Sequence, residues 1–108
     1  MVREISAREV KAALEAGEPL RLVDCREPDE VAIARIEGAE VIPLSQWKAL
    51  APERFRQEDE RVVIFCHAGV RSAHAAADLM RRGLTQVQNM AGGIDAWSLD
   101  VDPAVPRY

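Results

Sequence analysis

The chain has 108 residues, 48% of them hydrophobic, which suits one globular domain covering residues 1–108. Its net charge of -4 argues against a nucleic-acid partner, because phosphate backbones attract clustered lysine and arginine. No apolar run is long enough to cross a bilayer, and the N-terminus lacks the apolar core of a signal peptide, so we expect a cytoplasmic protein without membrane association. Cys25 and Cys66 are too few cysteines for a disulfide-stapled secreted scaffold.

The first half of the chain predicts strands that alternate with short helices. An edge strand over residues 2–5 precedes a helix that begins with a capping box formed by Ser6 and Glu9. A second strand, over residues 20–24, ends on Asp24. The remaining predictions are a helix over 29–34, a brief strand within 38–43, a helix over 44–50 capped by Ser45, and a surface connection over 51–60 anchored by Phe55.

The second half is organised around an apolar strand, residues 62–65, which is followed by Cys66 and by a helix over residues 72–82. A last strand over residues 86–90, a short helix over 94–97 and an extended surface tail over 100–108 complete the chain. Strands that alternate with helices in this way predict an α/β fold, in which a mainly parallel sheet has helices on both faces.

Cys66 occupies the position at which this architecture favours a nucleophile. It follows a buried strand and precedes a helix, so loop amides and the positive end of the helix meet there. Both stabilise a thiolate, and we expect the pKa of Cys66 to lie below that of a free cysteine. The alternative interpretation is a buried core thiol without chemistry.

The loop after Cys66 predicts an anion cradle. Gly69 allows the backbone to curl, and a short ring of inward-pointing amides suits a small anion such as the terminal sulfur of a persulfide. Arg71 has two predicted roles, which are to hold an anionic donor such as thiosulfate and to brace the loop by pairing with Asp24 or Glu27. His67 either shapes the mouth of the pocket or is an exposed loop side chain. The candidate anion-binding residues are His67, Ala68, Gly69, Val70, Arg71 and Ser72.

Four segments resemble single-domain rhodanese-like sulfurtransferases. Residues 66–72, Cys-His-Ala-Gly-Val-Arg-Ser, match the active-site loop of that family. The other matches are Asp-Cys-Arg-Glu at residues 24–27, the Gly-Ala to Ile-Pro-Leu turn at 38–44, and Gly-Gly-Ile-Asp-Ala-Trp at 92–97. Two positions depart from the family pattern: Ala34-Arg35 stands in place of Gly-His, and Cys25 stands where valine is common.

The resemblance implies a three-layer α/β fold with a five-stranded, mainly parallel sheet. It also implies that Cys66 attacks a donor such as thiosulfate, carries the sulfur as a persulfide and passes it to a thiol or cyanide, in two half-reactions without a cofactor. Asp24, Arg26 and Glu27 are the expected supporting residues. In the family's sheet order the second and fourth strands are neighbours, so Cys25 is a possible second thiol near Cys66; the alternative is simple packing.

Two other functions stay open. The first is a sulfur-relay or binding module that serves a partner enzyme and has little activity on free thiosulfate. The second, more remote, is a thiol-loop phosphatase, although such loops separate cysteine and arginine by five residues and only four separate Cys66 from Arg71. We expect no metal site, because neither histidine belongs to a metal-ligand spacing.

Overall fold

A computed structural model describes residues 2–56 and 60–108. The strands of the described chain are Arg3–Ile5 (β1), Arg21–Asp24 (β2), Glu40–Val41 (β3), Arg61–Phe65 (β4) and Gln86–Met90 (β5). They form one five-stranded sheet in the order β1-β5-β4-β2-β3, and each neighbouring pair is parallel. β4 is the central strand, as expected for a strand with four consecutive buried residues.

The α-helices of the described chain are Ala7–Glu15 (α1), Pro28–Ile33 (α2), Trp47–Arg54 (α3), Val70–Arg81 (α4) and Gly93–Asp100 (α5). α1 begins at the predicted capping box. The Ser6 hydroxyl accepts a hydrogen bond from the Glu9 amide, and the Glu9 carboxylate accepts one from the Ser6 amide, both at 3.1 Å. Within the described ranges, no helix is both long and apolar enough to cross a membrane.

The sheet has a hydrophobic core on each face, which confirms the predicted three-layer α/β fold. One core packs α3 and α4 against the sheet through residues that include Trp47, Ala76 and Leu79. The other packs α1 and α5 against the opposite face through residues that include Val10 and Trp97. Both faces of β4 are therefore covered, and its carboxyl end, where Cys66 follows, is left at the edge of the three layers.

The segment after β3 differs from the predicted helix over 44–50. A short 3-10 helix over Leu44–Gln46 leads into α3, which continues through Pro52 to Arg54. The helix persists because Trp47 and Ala51, one turn apart, are both buried, whereas Pro52 is exposed. Phe55 is buried as predicted, and residues 57–59 of the expected connection lie outside the described residues.

The predicted extended tail over 100–108 is also wrong in part. Asp100 belongs to α5, and the chain then turns, because the amides of Val101 and Asp102 both donate to the Trp97 carbonyl at 2.9 Å. Val101 and Val105 pack against the core on the α1–α5 face. Partial burial of these two apolar side chains explains why the tail turns back on the molecule instead of being extended.

Candidate active site

Cys66 lies in the loop between β4 and α4, as predicted. Gly69 precedes the first residue of α4 and has a φ of 106°, a left-handed conformation that glycine adopts without steric cost. This curl directs two amides at the cysteine: the Gly69 amide lies 3.1 Å from Cys66 Sγ, and the Ser72 amide lies 3.4 Å from it. The sulfur is therefore enclosed by donors of the loop, and Cys66 as a whole is only 1% exposed.

These contacts hold the pKa of the Cys66 thiol well below its usual range. The largest cause is a hydrogen bond from the Cys25 thiol, and burial acts in the opposite direction. The Ser72 hydroxyl and the amides of Ser72 and Gly69 lower the pKa of Cys66 further. The same sulfur–sulfur hydrogen bond, together with burial, raises the pKa of Cys25 far above its usual range. Cys66 is thus the thiolate of the pair and Cys25 the protonated partner.

Asn89 fixes the loop from the neighbouring strand β5. Its side-chain amide donates to the Gly69 carbonyl at 3.0 Å and to the Glu4 carboxylate at 3.0 Å. The Ser72 hydroxyl, which carries one proton, lies 2.5 Å from Asn89 Oδ1 and 3.3 Å from Cys66 Sγ. Sequence reasoning missed Asn89. The sequence did contain a signal: Asn89 is two positions after Val87 in β5, so both side chains lie on the same buried face of the strand. A polar side chain in a buried position needs hydrogen-bond partners.

The first residues of α5 bind the backbone carbonyl groups of the loop. The Ile94 amide donates to the Cys66 carbonyl at 2.9 Å, and the Asp95 amide donates to the His67 carbonyl at 3.1 Å. Gly93 makes this approach possible, because a Cβ at that position would overlap the carbonyl groups of Cys66 and His67. With these two carbonyls bound to α5, the loop is held with its Gly69 and Ser72 amides toward the sulfur.

Arg71 pairs with Glu30 of α2 rather than with the predicted Asp24 or Glu27. Its two terminal nitrogens lie 2.6 and 2.8 Å from the Glu30 carboxylate oxygens, and this bidentate pair holds the pKa of Glu30 down at about 2. The pairing differs from the prediction because the other two carboxylates have nearer partners. The Arg71 side chain remains 38% exposed beside the loop.

Asp24, Arg26 and Glu27, the predicted supporting residues, lie at the end of β2 and in the segment that follows it. Arg26 is fully buried and donates to both carboxylate oxygens of Asp24, at 2.7 and 3.0 Å. Glu27 accepts hydrogen bonds from the Ser45 hydroxyl and amide, at 2.5 and 3.2 Å. Ser45 therefore ties the 3-10 helix to the β2–α2 loop and is not the predicted helix cap. Among the described residues, the hydrogen bonds of Asp24, Arg26 and Glu27 do not reach Cys66 Sγ, and their supporting role stays a prediction.

The remaining loop side chains point away from the thiolate. Val70 is 69% exposed and Ala68 is also exposed. His67 is half-buried and stacks on Tyr108, with ring centroids 4.1 Å apart. The Tyr108 hydroxyl in turn donates to Glu30 at 2.8 Å and accepts from Arg26 at 3.0 Å. Sequence reasoning missed this contact, because it treated the tail as extended.

The described ranges 2–56 and 60–108 contain no group of three or more histidine, cysteine or acidic residues placed to hold a metal ion. The reactive groups at this loop are the ionised Cys66, its neutral neighbour Cys25 and the cation of Arg71. An enclosed thiolate ringed by amide donors is suited to nucleophilic attack and to holding a small anion.

Comparison with known proteins agrees with this geometry. The rhodanese-like domain family model matches residues 6–100. A sulfurtransferase of Allochromatium vinosum is 39% identical over 100 residues, covering 91% of this chain and 90% of its own. The crystal structure of a rhodanese-like domain protein from Staphylococcus aureus has a TM-score of 0.82 and 28% identity, and the match covers 99% of each chain.

Longer proteins contain a similar domain. A probable adenylyltransferase/sulfurtransferase of Mycobacterium tuberculosis is 35% identical over 104 residues. The match covers 96% of this chain but only 26% of that longer protein. The chain spans well under half of the longer curated relatives that it matches. Because the family model covers nearly all of the sequence and the fold matches throughout, this chain belongs to the rhodanese-like domain family.

Proposed function

We propose that this protein is a sulfurtransferase that carries sulfane sulfur as a persulfide on Cys66. The observation that carries the proposal is the enclosed thiolate, whose sulfur accepts hydrogen bonds from the amides of Gly69 and Ser72. Thiolates attack sulfur–sulfur bonds, and a low pKa keeps Cys66 ionised at neutral pH. The similarity to a protein named sulfurtransferase supports the same reaction class.

In the first half-reaction, the Cys66 thiolate attacks the outer sulfur of thiosulfate or of a persulfide donor. A sulfur–sulfur bond forms to Cys66 while the corresponding bond of the donor breaks. With thiosulfate, sulfite leaves with the bonding electron pair, and the negative charge of the thiolate passes to the outer sulfur. Arg71, part-exposed beside the loop, supplies the positive charge that favours an anionic donor.

The persulfide anion would then lie inside the loop. We expect the amides from His67 to Ser72 to stabilise its outer sulfur, as preorganised donors stabilise charge in other covalent mechanisms. Four residues separate Cys66 from Arg71, a short loop that favours a single sulfur atom over a tetrahedral phosphate. In the second half-reaction a thiol or cyanide attacks the outer sulfur, and Cys66 leaves as the thiolate.

Mass spectrometry after thiosulfate treatment tests the proposal. We expect a gain of one sulfur atom on the Cys66 peptide, its removal by cyanide with formation of thiocyanate, and no gain in Cys66→Ser. Hydrolysis of a phosphate ester, measured on the same preparation, should be absent. Failure of Cys66 to take up sulfur from thiosulfate and from a small persulfide would contradict the proposal, and Cys66-dependent phosphate release would favour the phosphatase.

A second candidate function is relay of sulfur from a protein donor to a partner enzyme. The observation that favours it is the similarity to domains within longer proteins, one of them named adenylyltransferase/sulfurtransferase. Steady-state kinetics with thiosulfate and with a panel of protein persulfides distinguish the two. A relay domain should show kcat/KM for protein persulfides that is higher by about a hundredfold or more, since protein contacts add binding energy that thiosulfate lacks.

A further inference from the structure

Cys25 and Cys66 occupy matching positions at the ends of neighbouring strands. The β2–β4 register pairs Asp24 with Phe65, and the Cys25 amide donates to the Phe65 carbonyl at 3.1 Å. Continuing the register by one residue places Cys25 opposite Cys66. Paired residues on adjacent strands have Cα atoms about 5 Å apart, which falls within the range that a disulfide spans.

The two cysteines lie on the same face of the sheet, as neighbours on adjacent strands. Both cysteines belong to the core cluster on the α3–α4 face, and both are free thiols that are almost completely enclosed. The Gly69 and Ser72 amides approach Cys66 Sγ from the loop, whereas Cys25 lies on the β2 side and is the largest cause of the lowered pKa of Cys66.

Formation of the Cys66 persulfide changes the chemical group that lies next to Cys25. In the resting protein it lies beside a thiolate, which no nucleophile attacks. In the persulfide the negative charge has moved to the outer sulfur, and the inner Cys66 sulfur has become one half of a sulfur–sulfur bond. Such a sulfur is an electrophile in thiol–disulfide exchange, and the nearest thiol to it is Cys25.

We propose that Cys25 is a resolving thiol, which attacks the inner sulfur of the Cys66 persulfide when no acceptor is present, forms a Cys25–Cys66 disulfide and releases hydrosulfide. This inference rests on the proposed sulfurtransferase function. The Cys25–Cys66 bond forms as the bond between the inner and outer sulfurs breaks. The Cys25 proton leaves with the outer sulfur as hydrosulfide, so that two cysteines are oxidised, the sulfane sulfur is reduced, and no external oxidant is consumed.

The test begins with anaerobic loading of the reduced protein with thiosulfate, followed by desalting and intact-mass measurement over time. The wild type should lose the added sulfur, end two hydrogen atoms lighter than the reduced protein, and release one hydrosulfide per chain. Peptide mapping should then join Cys25 to Cys66, and dithiothreitol should restore the reduced mass. The same protein kept without thiosulfate should stay reduced; a disulfide formed equally there would overturn the proposal.

Cys25→Ser and Cys25→Ala are the matched variants. Serine keeps a hydrogen-bond donor beside Cys66 and alanine removes it, but neither can form the disulfide. The persulfide should last about tenfold longer or more in both variants, because an intramolecular thiol has a high effective concentration. Equal persulfide lifetimes in the wild type and Cys25→Ser would overturn the proposal.

The same experiment separates this inference from the proposed function. If Cys25→Ser gains one sulfur atom on Cys66 and the wild type gains it but forms no disulfide, the sulfurtransferase function stands and the resolving role of Cys25 is wrong. If neither protein gains sulfur from thiosulfate or a small persulfide, the proposed function fails first. Folding of each variant is checked by its urea midpoint, and a variant that does not fold is replaced by Cys25→Val.

Discussion

At the residue scale, the chemistry depends on how a thiolate can be stable in an enclosed position. Burial by itself disfavours the charge on Cys66, and donors must offset that cost. The donors around the sulfur are the amides of Gly69 and Ser72 and the Ser72 hydroxyl, whose single proton also faces Asn89 Oδ1; the protonated Cys25 thiol lies beside them. None of them carries a full positive charge, so the site stabilises an anion mainly with oriented dipoles.

This environment predicts an unusual pH dependence. Because the pKa of Cys66 is lowered, the thiolate should persist from neutral into acidic pH, where a free cysteine is protonated, and should disappear only as pH falls through that lowered value. Thiolate ultraviolet absorbance measured against pH, with Cys66→Ser as the blank, reports this directly. Cys25→Ala and Ser72→Ala should each move the transition to higher pH. A Cys66 transition at the value of a free cysteine would contradict the donor arrangement.

At the element scale, α5 decides the shape of the active-site loop although it contributes no side chain to the thiolate. Its Ile94 and Asp95 amides bind the carbonyls of Cys66 and His67. Helix N-terminal amides lack partners within their own helix, so this contact satisfies donors and acceptors together. This contact brings the backbone of α5 very close to the loop, and the close approach requires glycine at position 93.

Gly93→Ala should therefore disturb the site more than an ordinary left-handed glycine would. The new Cβ would overlap the Cys66 and His67 carbonyls, in addition to the strain of a φ of 59°. Gly17→Ala is the matched control, since Gly17 has a φ of 72° with nothing within 4 Å of the added Cβ. We expect the free energy of unfolding in urea to fall by about 1 kcal/mol for Gly17→Ala and by about 3 kcal/mol for Gly93→Ala.

The same pair of variants separates local strain from damage to the site. Only Gly93→Ala should raise the pKa of Cys66, because only there must the loop backbone shift. Equal losses of stability in both variants, with the thiolate titration unchanged, would show that α5 does not hold the loop.

At the scale of the whole molecule, three adjacent strands contribute to one site because their carboxyl ends meet at the same edge of a parallel sheet. β2 leads to Cys25, β4 leads to Cys66, and β5 carries Asn89. Asn89 extends the connection to the edge strand through Glu4 of β1. The sheet order thus brings Cys66, a second thiol and a buried amide to one edge of the sheet, although they are far apart in sequence.

Asn89→Ala should show how far the loop depends on this connection. It removes the donor to Gly69 and the acceptor for Ser72, both in a buried position, and we expect a loss of stability of about 2 kcal/mol. We also expect a higher pKa for Cys66. A double-mutant cycle with Ser72→Ala, followed by urea unfolding and thiolate titration, should show non-additive effects, since the two side chains share a hydrogen bond. Additive effects would indicate that Asn89 acts on the sheet alone.

Much of the fold was accessible from local patterns. The Ser6–Glu9 capping box and the apolar run of β4 each act within a few residues, and each led to an element that the structure contains. The helix predicted over 44–50 ended too early, because Pro52 is unfavourable within a helix but burial of Trp47 and Ala51 carries α3 to Arg54. Local signals fail where packing against distant residues decides the outcome.

The parallel α/β architecture and the position of Cys66 at the end of β4 can be predicted from the chain alone, because strand periodicity and the Cys66–Ser72 loop are properties of adjacent residues. The partners of that loop depend instead on the packed fold. Glu30 rather than Asp24 or Glu27 pairs with Arg71, Asn89 binds Gly69, and Tyr108 stacks on His67. Each of these contacts joins segments that the helices and sheet bring together, and their relative placement depends on how both cores pack.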